Sequence, residues 1–182
     1  MRKLLNSELG RKSAEQYKNS DKSPFVLILD NVRSHNNVGS VFRTADAFLT
    51  KKIYLCGITA RPPHRDIQKT ALGATESVEW SYYESTTDAV SELKKEGYMI
   101  IVIEQAEGSV ELQDVNIDPG KRYALVFGHE VNGVDQSVVD MCDLCVEIPQ
   151  FGTKHSFNIA VSAGIVLWEL HRNILRSPDP AY

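Results

Sequence analysis

The chain is poor in cysteine. Its 182 residues include three, Cys56, Cys142 and Cys145, too few and too oddly numbered for a disulfide framework, and this usage fits a reducing compartment. Cys142 and Cys145 form a C-x-x-C, but a zinc site needs two further ligands at similar close spacing and none is visible. The surrounding DLCVEIP reads instead as a buried strand. Long hydrophobic runs are also missing: nothing approaches the roughly 18 to 20 apolar residues that span a bilayer. The opening MRKLLNSELGRKSAEQ is basic but lacks an apolar stretch and a small-residue cleavage site, so it does not read as a secretory leader, and a cytoplasmic location is expected. Nor is there an excess of positive charge. Lys and Arg number 20 against 24 Asp and Glu, a net charge of −4, which argues against a protein that coats nucleic acid through clustered cations.

Several signatures of α/β enzymes are absent as well. The chain has no G-x-x-x-x-G-K-[ST] loop, no G-x-G-x-x-G between a strand and a helix, no G-x-S-x-G and no H-E-x-x-H. Internal repeats and low-complexity tracts are likewise missing.

What is present is ordinary in amount and informative in arrangement. An apolar content of 42% and a charged content of 24% suit one globular domain, and the length allows one real core but not two. Charge is segregated. Arg2, Lys3, Arg11, Lys12, Lys18 and Lys22 make the opening basic, Lys51, Lys52, Arg61, Arg65 and Lys69 make a second basic stretch, and residues 76–118 are heavily acidic. Such a pattern permits a basic face on an acidic protein, although solvated charge with no partner has the same composition.

From Phe25 onward, short β-rich runs alternate with helical patterns, which predicts an α/β fold with a mostly parallel sheet flanked by helices. The strands are PFVLILD, KIYLCGI, YMIIVIEQ, YALVFGHE and LCVEIP, with a weaker one near SVEWSYY; continuous apolar runs suit strands covered on both faces. Val38, Val41, Phe42, Ala45, Phe48 and Leu49 recur at helical spacing and leave Arg43 off the apolar stripe. A second helix covers residues 86–96 and closes at Gly97. The last long helix begins near Ser156 and carries Ile159, Ala163, Val166, Leu167, Leu170 and Ile174 on one side. Gly164 within it costs about 1 kcal/mol relative to Ala, which suggests that another backbone comes close there, the alternative being a tolerated surface glycine. The first twenty or so residues read as a polar, weakly amphipathic helix that docks loosely or reaches toward a partner, and the tail SPDPAY as unstructured.

Three polar, glycine-containing clusters follow predicted strands, where open α/β sheets bind ligands. In DNVRSHNNVGSVFRTADAF, Asn37 is placed as a helix N-cap and Arg43 near the second turn, with Gly39 leaving space beside the guanidinium. On a purely structural reading these are a cap and a surface charge. In LVFGHEVNGVD, Gly128 lets backbone approach a ligand, Glu130 is an acid just past a buried strand, and Gly133 supports a turn. A plain loop has the same look. In EIPQFGTKHSFNIAVSAG the strand ends at Pro149, Gly152 lies in the loop, and Ser156 opens the final helix beside Asn158, offering N–H groups and side-chain donors and acceptors. Ser156 could equally be a simple cap.

In order and spacing, the three clusters resemble the three motifs of the SpoU (TrmH-like) branch of the SPOUT methyltransferases, over essentially residues 25–174. The intervening TALGATESVEW, with Gly73 and Ala74, looks like that family's connecting segment. The resemblance implies a SPOUT (α/β knot) fold with a C-terminal trefoil knot, a homodimer, S-adenosylmethionine as methyl donor, no metal, and methylation of a ribose 2'-hydroxyl in tRNA or rRNA. It divides the chain into an N-terminal helical extension (1–22), the SPOUT methyltransferase domain (23–176) and a tail (177–182). Carried over residue by residue, the catalytic set falls on Asn37, Arg43, Glu130, Ser156 and Asn158. Cofactor contacts fall on Ile103, Gly128, Ile148, Ser156 and Phe157, and the small face at Ala160 to Gly164 becomes knot or dimer packing. The RNA-binding domain of longer members is not expected here, which leaves the RNA unidentified.

For such a reaction the protein must align a ribose oxygen with the methyl group and stabilise developing negative charge. Arg43, almost never neutral, suits charge stabilisation and positioning. The role proposed in the family, a base aided by an RNA phosphate, stays open; Asn37, Glu130, Ser156 and Asn158 would orient Arg43 and the ribose, with Glu130 one candidate partner for the guanidinium. Two other readings compete. A base-methylating enzyme of the same fold is separated by identifying the methylated nucleoside, and a non-catalytic RNA-binding dimer by calorimetric titration with S-adenosylmethionine.

Overall fold

The computed structural model describes residues 1–175; the expected unstructured tail, 177–182, lies outside the described residues. The N-terminal segment is not one helix. It forms a 3-10 turn, Asn6–Glu8, and then α1, Ala14–Asn19, with Gly10 between them at φ +58, a conformation glycine adopts without strain. Ser13 and Gln16 close a reciprocal capping box at the start of α1. Docking is firm rather than loose, because the Tyr17 side chain is buried and its hydroxyl donates to the Thr50 carbonyl at 2.9 Å.

The domain proper runs β1 (Phe25–Asp30), α2 (His35–Ala47), β2 (Lys52–Cys56), α3 (Arg65–Ala71), α4 (Ala74–Ser77), β3 (Glu79–Tyr83), α5 (Thr86–Lys95) and β4 (Tyr98–Ile103). It continues with β5 (Val110–Glu111), a 3-10 turn (Leu112–Asp114), β6 (Arg122–Phe127), α6 (Gln136–Val139), β7 (Leu144–Glu147) and α7 (Ile159–Leu175). The seven strands form one sheet in the order β3-β2-β1-β6-β4-β7-β5, and every neighbouring pair is parallel.

Both faces of the sheet are covered, as the continuous apolar runs require. Alternation along β1 divides the core: Phe25, Leu27 and Leu29 join the stripes of α2 and α7 on one side, and Val26 and Ile28 join Ala89, Val90 and Leu93 of α5 on the other. All six predicted stripe residues of α7 are buried. Each large aliphatic side chain so enclosed contributes roughly 1.5–3 kcal/mol.

Two glycines behave differently from expectation. Gly39 leaves no space for a ligand: a Cβ there would lie 2.1 Å from Thr70 Oγ1 and 2.3 Å from the Ile67 carbonyl oxygen, so its role is to let α3 press against α2. At Gly164 no atom of the described residues lies within 4 Å of such a Cβ, so the close backbone expected there is not found among them and the glycine sits as a tolerated surface residue does.

At the carboxyl edge of the sheet one buried acid ties three segments together. Asp30 accepts from the Thr86 hydroxyl at the start of α5, from Asn31 Nδ2, and from the Asp135 N–H ahead of α6. The loops after β1, β3 and β6 are thereby held in fixed relation.

Candidate active site

A cleft of about 460 Å³ opens at the carboxyl ends of β4, β6 and β7 and reaches the start of α7. It is lined by Ile103, Gly128, Ile148, Ser156 and Phe157, the five positions expected to touch a cofactor, together with Glu130 and Asn158. Its wall is the 128–134 loop, closed by two backbone hydrogen bonds of 2.9 Å between His129 and Gly133. Gly128 is required by this loop: a Cβ would lie 2.2 Å from the Gly133 carbonyl carbon and 2.3 Å from Val134 N. Gly133 adopts φ +70, and its missing side chain leaves room for Glu104.

Several lining residues were not singled out from the sequence. Glu104 and Gln105 follow directly on β4, so the rule that located the other clusters, polar residues just past a strand's carboxyl end, would have found them. Glu104 accepts from the N–H groups of Val134 and Gln105, at 3.0 and 2.9 Å. Gln105 Nε2 donates to the His155 carbonyl at 3.0 Å, pinning the loop that leads to α7. His129 Nδ1 accepts from Val131 and Asn132 N–H and stiffens the loop tip.

The three sequence clusters meet through Glu130. Its carboxylate accepts from the N–H groups of Arg33 and Ser34 and from Asn37 Nδ2, each at 3.0 Å. Asn37 Oδ1 in turn accepts from Asn158 Nδ2 at 3.1 Å. Partial burial pushes the Glu130 carboxyl up, but the hydrogen bonds from Arg33, Asn37 and Ser34 outweigh it and hold the group below its ordinary value. The charge also faces the N-terminus of α2, where anions are favoured.

Two capping assignments change. Ser34, not Asn37, caps α2, accepting from Asn37 N–H at 3.3 Å and freeing the Asn37 side chain for Glu130 and Asn158. Asn158, not Ser156, caps α7: its Oδ1 accepts from Ala160 N–H and its carbonyl from Ser162 N–H, both at 2.9 Å. Ser156 stands at the cleft, and its hydroxyl has no hydrogen bond among the described residues.

Arg43 is placed apart. It is exposed, is not among the residues lining the cleft, and makes no hydrogen bond or ion pair among the described residues. By helical periodicity it shares a face of α2 with Asn36 and Gly39, the face that meets α3. Glu130 is therefore not its partner; that carboxylate is already occupied.

Cys145 lies in β7 and Cys142 in the turn before it, and burial pushes both thiols up. Among the described residues no group of three or more His, Cys, Asp or Glu is placed to hold a metal ion, and no helix is long and apolar enough to cross a membrane.

Fold and cleft define an α/β protein of the kind that takes its ligand at the carboxyl edge of a parallel sheet. The chain belongs to the SpoU rRNA Methylase family, whose sequence profile matches residues 24–168. It is 33% identical over 154 residues to the 23S rRNA (guanosine-2'-O-)-methyltransferase RlmB of Neisseria meningitidis serogroup B, covering 85% of this chain and 60% of that one. A Staphylococcus saprophyticus protein assigned to the TrmH family of tRNA/rRNA methyltransferases is 30% identical over 157 residues, covering 86% of this chain and 62% of that one. The chain thus spans about three-fifths of the length of these curated relatives. Among solved structures, an AdoMet-bound rRNA methyltransferase from Sinorhizobium meliloti superposes with a TM-score of 0.76 at 27% identity over 89% of this chain and 61% of that one. The A. aeolicus TrmH/SpoU tRNA modifying enzyme shares the fold, with a TM-score of 0.79 at 24% identity, covering 92% and 85%.

Proposed function

We propose that this protein is an S-adenosylmethionine-dependent RNA methyltransferase acting on a ribose 2'-hydroxyl of tRNA or rRNA. The observation that carries the reading is the Glu130–Asn37–Asn158 bridge, which joins three distant segments beside a ligand-sized cleft. Family membership and the activity named for the Neisseria relative supply the reaction class.

The cleft suits the cofactor. Ile103, Phe127, Ile148 and Phe157 offer apolar surface for a base, while Glu104, Gln105 and Asn132 offer polar contacts for charged ends. Ile103, Gly128, Ile148, Ser156 and Phe157 would hold it. When bound, S-adenosylmethionine supplies a methyl group activated by its sulfonium centre.

The chain's own residues orient the acceptor. Asn37 and Asn158 fix the relation of α2 to α7, and Glu130 holds the start of α2 against the cleft wall. Ser156 presents a free hydroxyl to the ribose. Arg43, with its guanidinium unengaged, stabilises negative charge developing on the ribose oxygen and positions the adjoining phosphate.

The protein works as a homodimer in this reading. Val161, Ile165 and Trp168 form an apolar stripe on the outer side of α7, with Val161 49% and Trp168 60% exposed, and Gly164 beside them faces open space. A second copy covers this face, and the C-terminal segment threads as the family's trefoil knot. A cytoplasmic location accords with RNA as substrate.

The test is incubation with labelled S-adenosylmethionine and unmodified tRNA and rRNA, followed by digestion and nucleoside mass spectrometry. A 2'-O-methylnucleoside is expected. A base-methylated product, or no transfer to either RNA, overturns the reading.

A further inference from the structure

The basic stretch identified in the sequence is not absorbed by the cleft. Its later part, Arg61, Arg65 and Lys69, lies in the loop after β2 and in α3, on the flank of α2 that carries Arg43, whereas Lys51 and Lys52 stand at the start of β2. Residues 57–75 hold Arg61, Arg65 and Lys69 against one acid, Asp66, and residues 31–45 hold Arg33 and Arg43 with no acid at all. On a chain of net charge −4 this is a strong local reversal of sign.

Flat groups are interleaved with the charges. The His35 and His64 rings lie against one another, centroids 3.9 Å apart and 35° from parallel. The Arg61 guanidinium sits over the Tyr82 ring, 4.3 Å from its centroid. His64 and Arg61 are exposed, and Tyr82 is 37% exposed. The ledge has a built foundation: Gly39 lets α3 touch α2, and the Thr70 hydroxyl donates to the Asn36 carbonyl at 3.0 Å. Its cations carry little ion pairing: Arg61 rests on the Tyr82 ring, and Arg65 has one long contact, 3.4 Å, with Asp66, its side chain 91% exposed.

Rings and guanidinium planes at a basic surface are the chemistry that takes unstacked bases while neutralising their phosphates. A duplex hides its base faces and would meet only the charges. We propose that Arg61, His64 and Tyr82, with His35 behind them, form a ledge that stacks unpaired bases of the RNA beside the nucleotide presented to Arg43. This inference rests on the RNA methyltransferase reading and specifies the form of RNA that the site takes.

The probes are a fluorescent single-stranded RNA 15-mer of mixed sequence and a duplex of the same length, each titrated with the 182-residue chain by anisotropy, with poly-glutamate as competitor. His64→Asn keeps an acceptor for the Asp66 N–H but removes the ring; His64→Phe keeps a ring and removes the acceptor. Single-stranded RNA is expected to bind more tightly than duplex. His64→Asn, Arg61→Ala and Tyr82→Ala each weaken single-strand binding about tenfold, while His64→Phe stays near wild type. Equal binding of duplex, displacement by poly-glutamate, or variants that bind single strands like wild type would each overturn the ledge. Calorimetric titration with S-adenosylmethionine runs in parallel. All variants are expected to bind it like wild type; a wild-type protein that fails to bind it strikes the methyltransferase reading and leaves the RNA titrations to judge the ledge alone.

Discussion

The cleft at the ends of β4, β6 and β7 and the flank formed by α2 and α3 are built on opposite plans. In the cleft, polar groups are already engaged: Glu130 takes three donors, Glu104 two, and Gln105 fastens the 150–158 loop. On the flank, Arg33 and Arg43 make no side-chain hydrogen bond among the described residues, and rings lie open to solvent. The contrast separates two tasks. A group saturated by its own chain shapes a site, whereas an unengaged guanidinium keeps its full capacity for a charge that arrives with the substrate.

Removing the unengaged cation should break function without touching structure. Arg43→Ala is expected to slow methyl transfer by about 10²–10³-fold with unchanged melting temperature and S-adenosylmethionine affinity. A transfer rate near wild type would mean that the flank does not take part in the chemistry. Gly39→Ala tests what holds the flank in place. The added methyl meets the Ile67 carbonyl at 2.3 Å, so α3 must shift, at a cost of roughly 1–3 kcal/mol seen in chemical denaturation. RNA affinity should fall with it while cofactor binding persists. Trp168→Glu places a charge in the apolar stripe of α7 and should turn the proposed dimer into a monomer by analytical ultracentrifugation, with the monomer's helical content preserved.

Glu130→Gln is the subtlest probe, because it alters a group that shapes the site. The native carboxyl titrates below its ordinary value of 4.5, so the stability it contributes is fully present above that pH and is lost as pH falls through the folded value. The group is only partly buried, which limits the contribution to about 1 kcal/mol or less. Thermal melts should show the variant less stable than wild type near neutrality, with the gap closing in acid. A gap independent of pH would assign the effect to shape rather than charge.

The sequence made these two regions unequally readable. β1, β2, β4 and β6 were plain because strands covered on both faces leave continuous apolar runs. β5 is a two-residue edge strand and leaves no pattern. The helices α3 and α4, seven and four residues long, follow the N-caps His64 and Gly73, neither of which carries a capping side-chain oxygen, and so the flank's scaffold went unseen. Cap identity was legible only to within a few residues: Ser34 and Asn37 are both competent, as are Ser156 and Asn158, and contacts 93 and 121 residues away decide between them. The position of Arg43 outside the cleft could not be read locally, since it depends on which face of α2 meets α3.

Because every strand runs the same way, the sheet has a front and a back. All the chemistry discussed lies at the front, past the carboxyl ends. At the back, the Asp118–Lys121 turn, held by the Lys121 N–H to Asp118 carbonyl bond of 3.0 Å, is exposed just before β6 begins. A fluorophore or affinity handle attached there would report on the protein from the end of the sheet opposite the cleft.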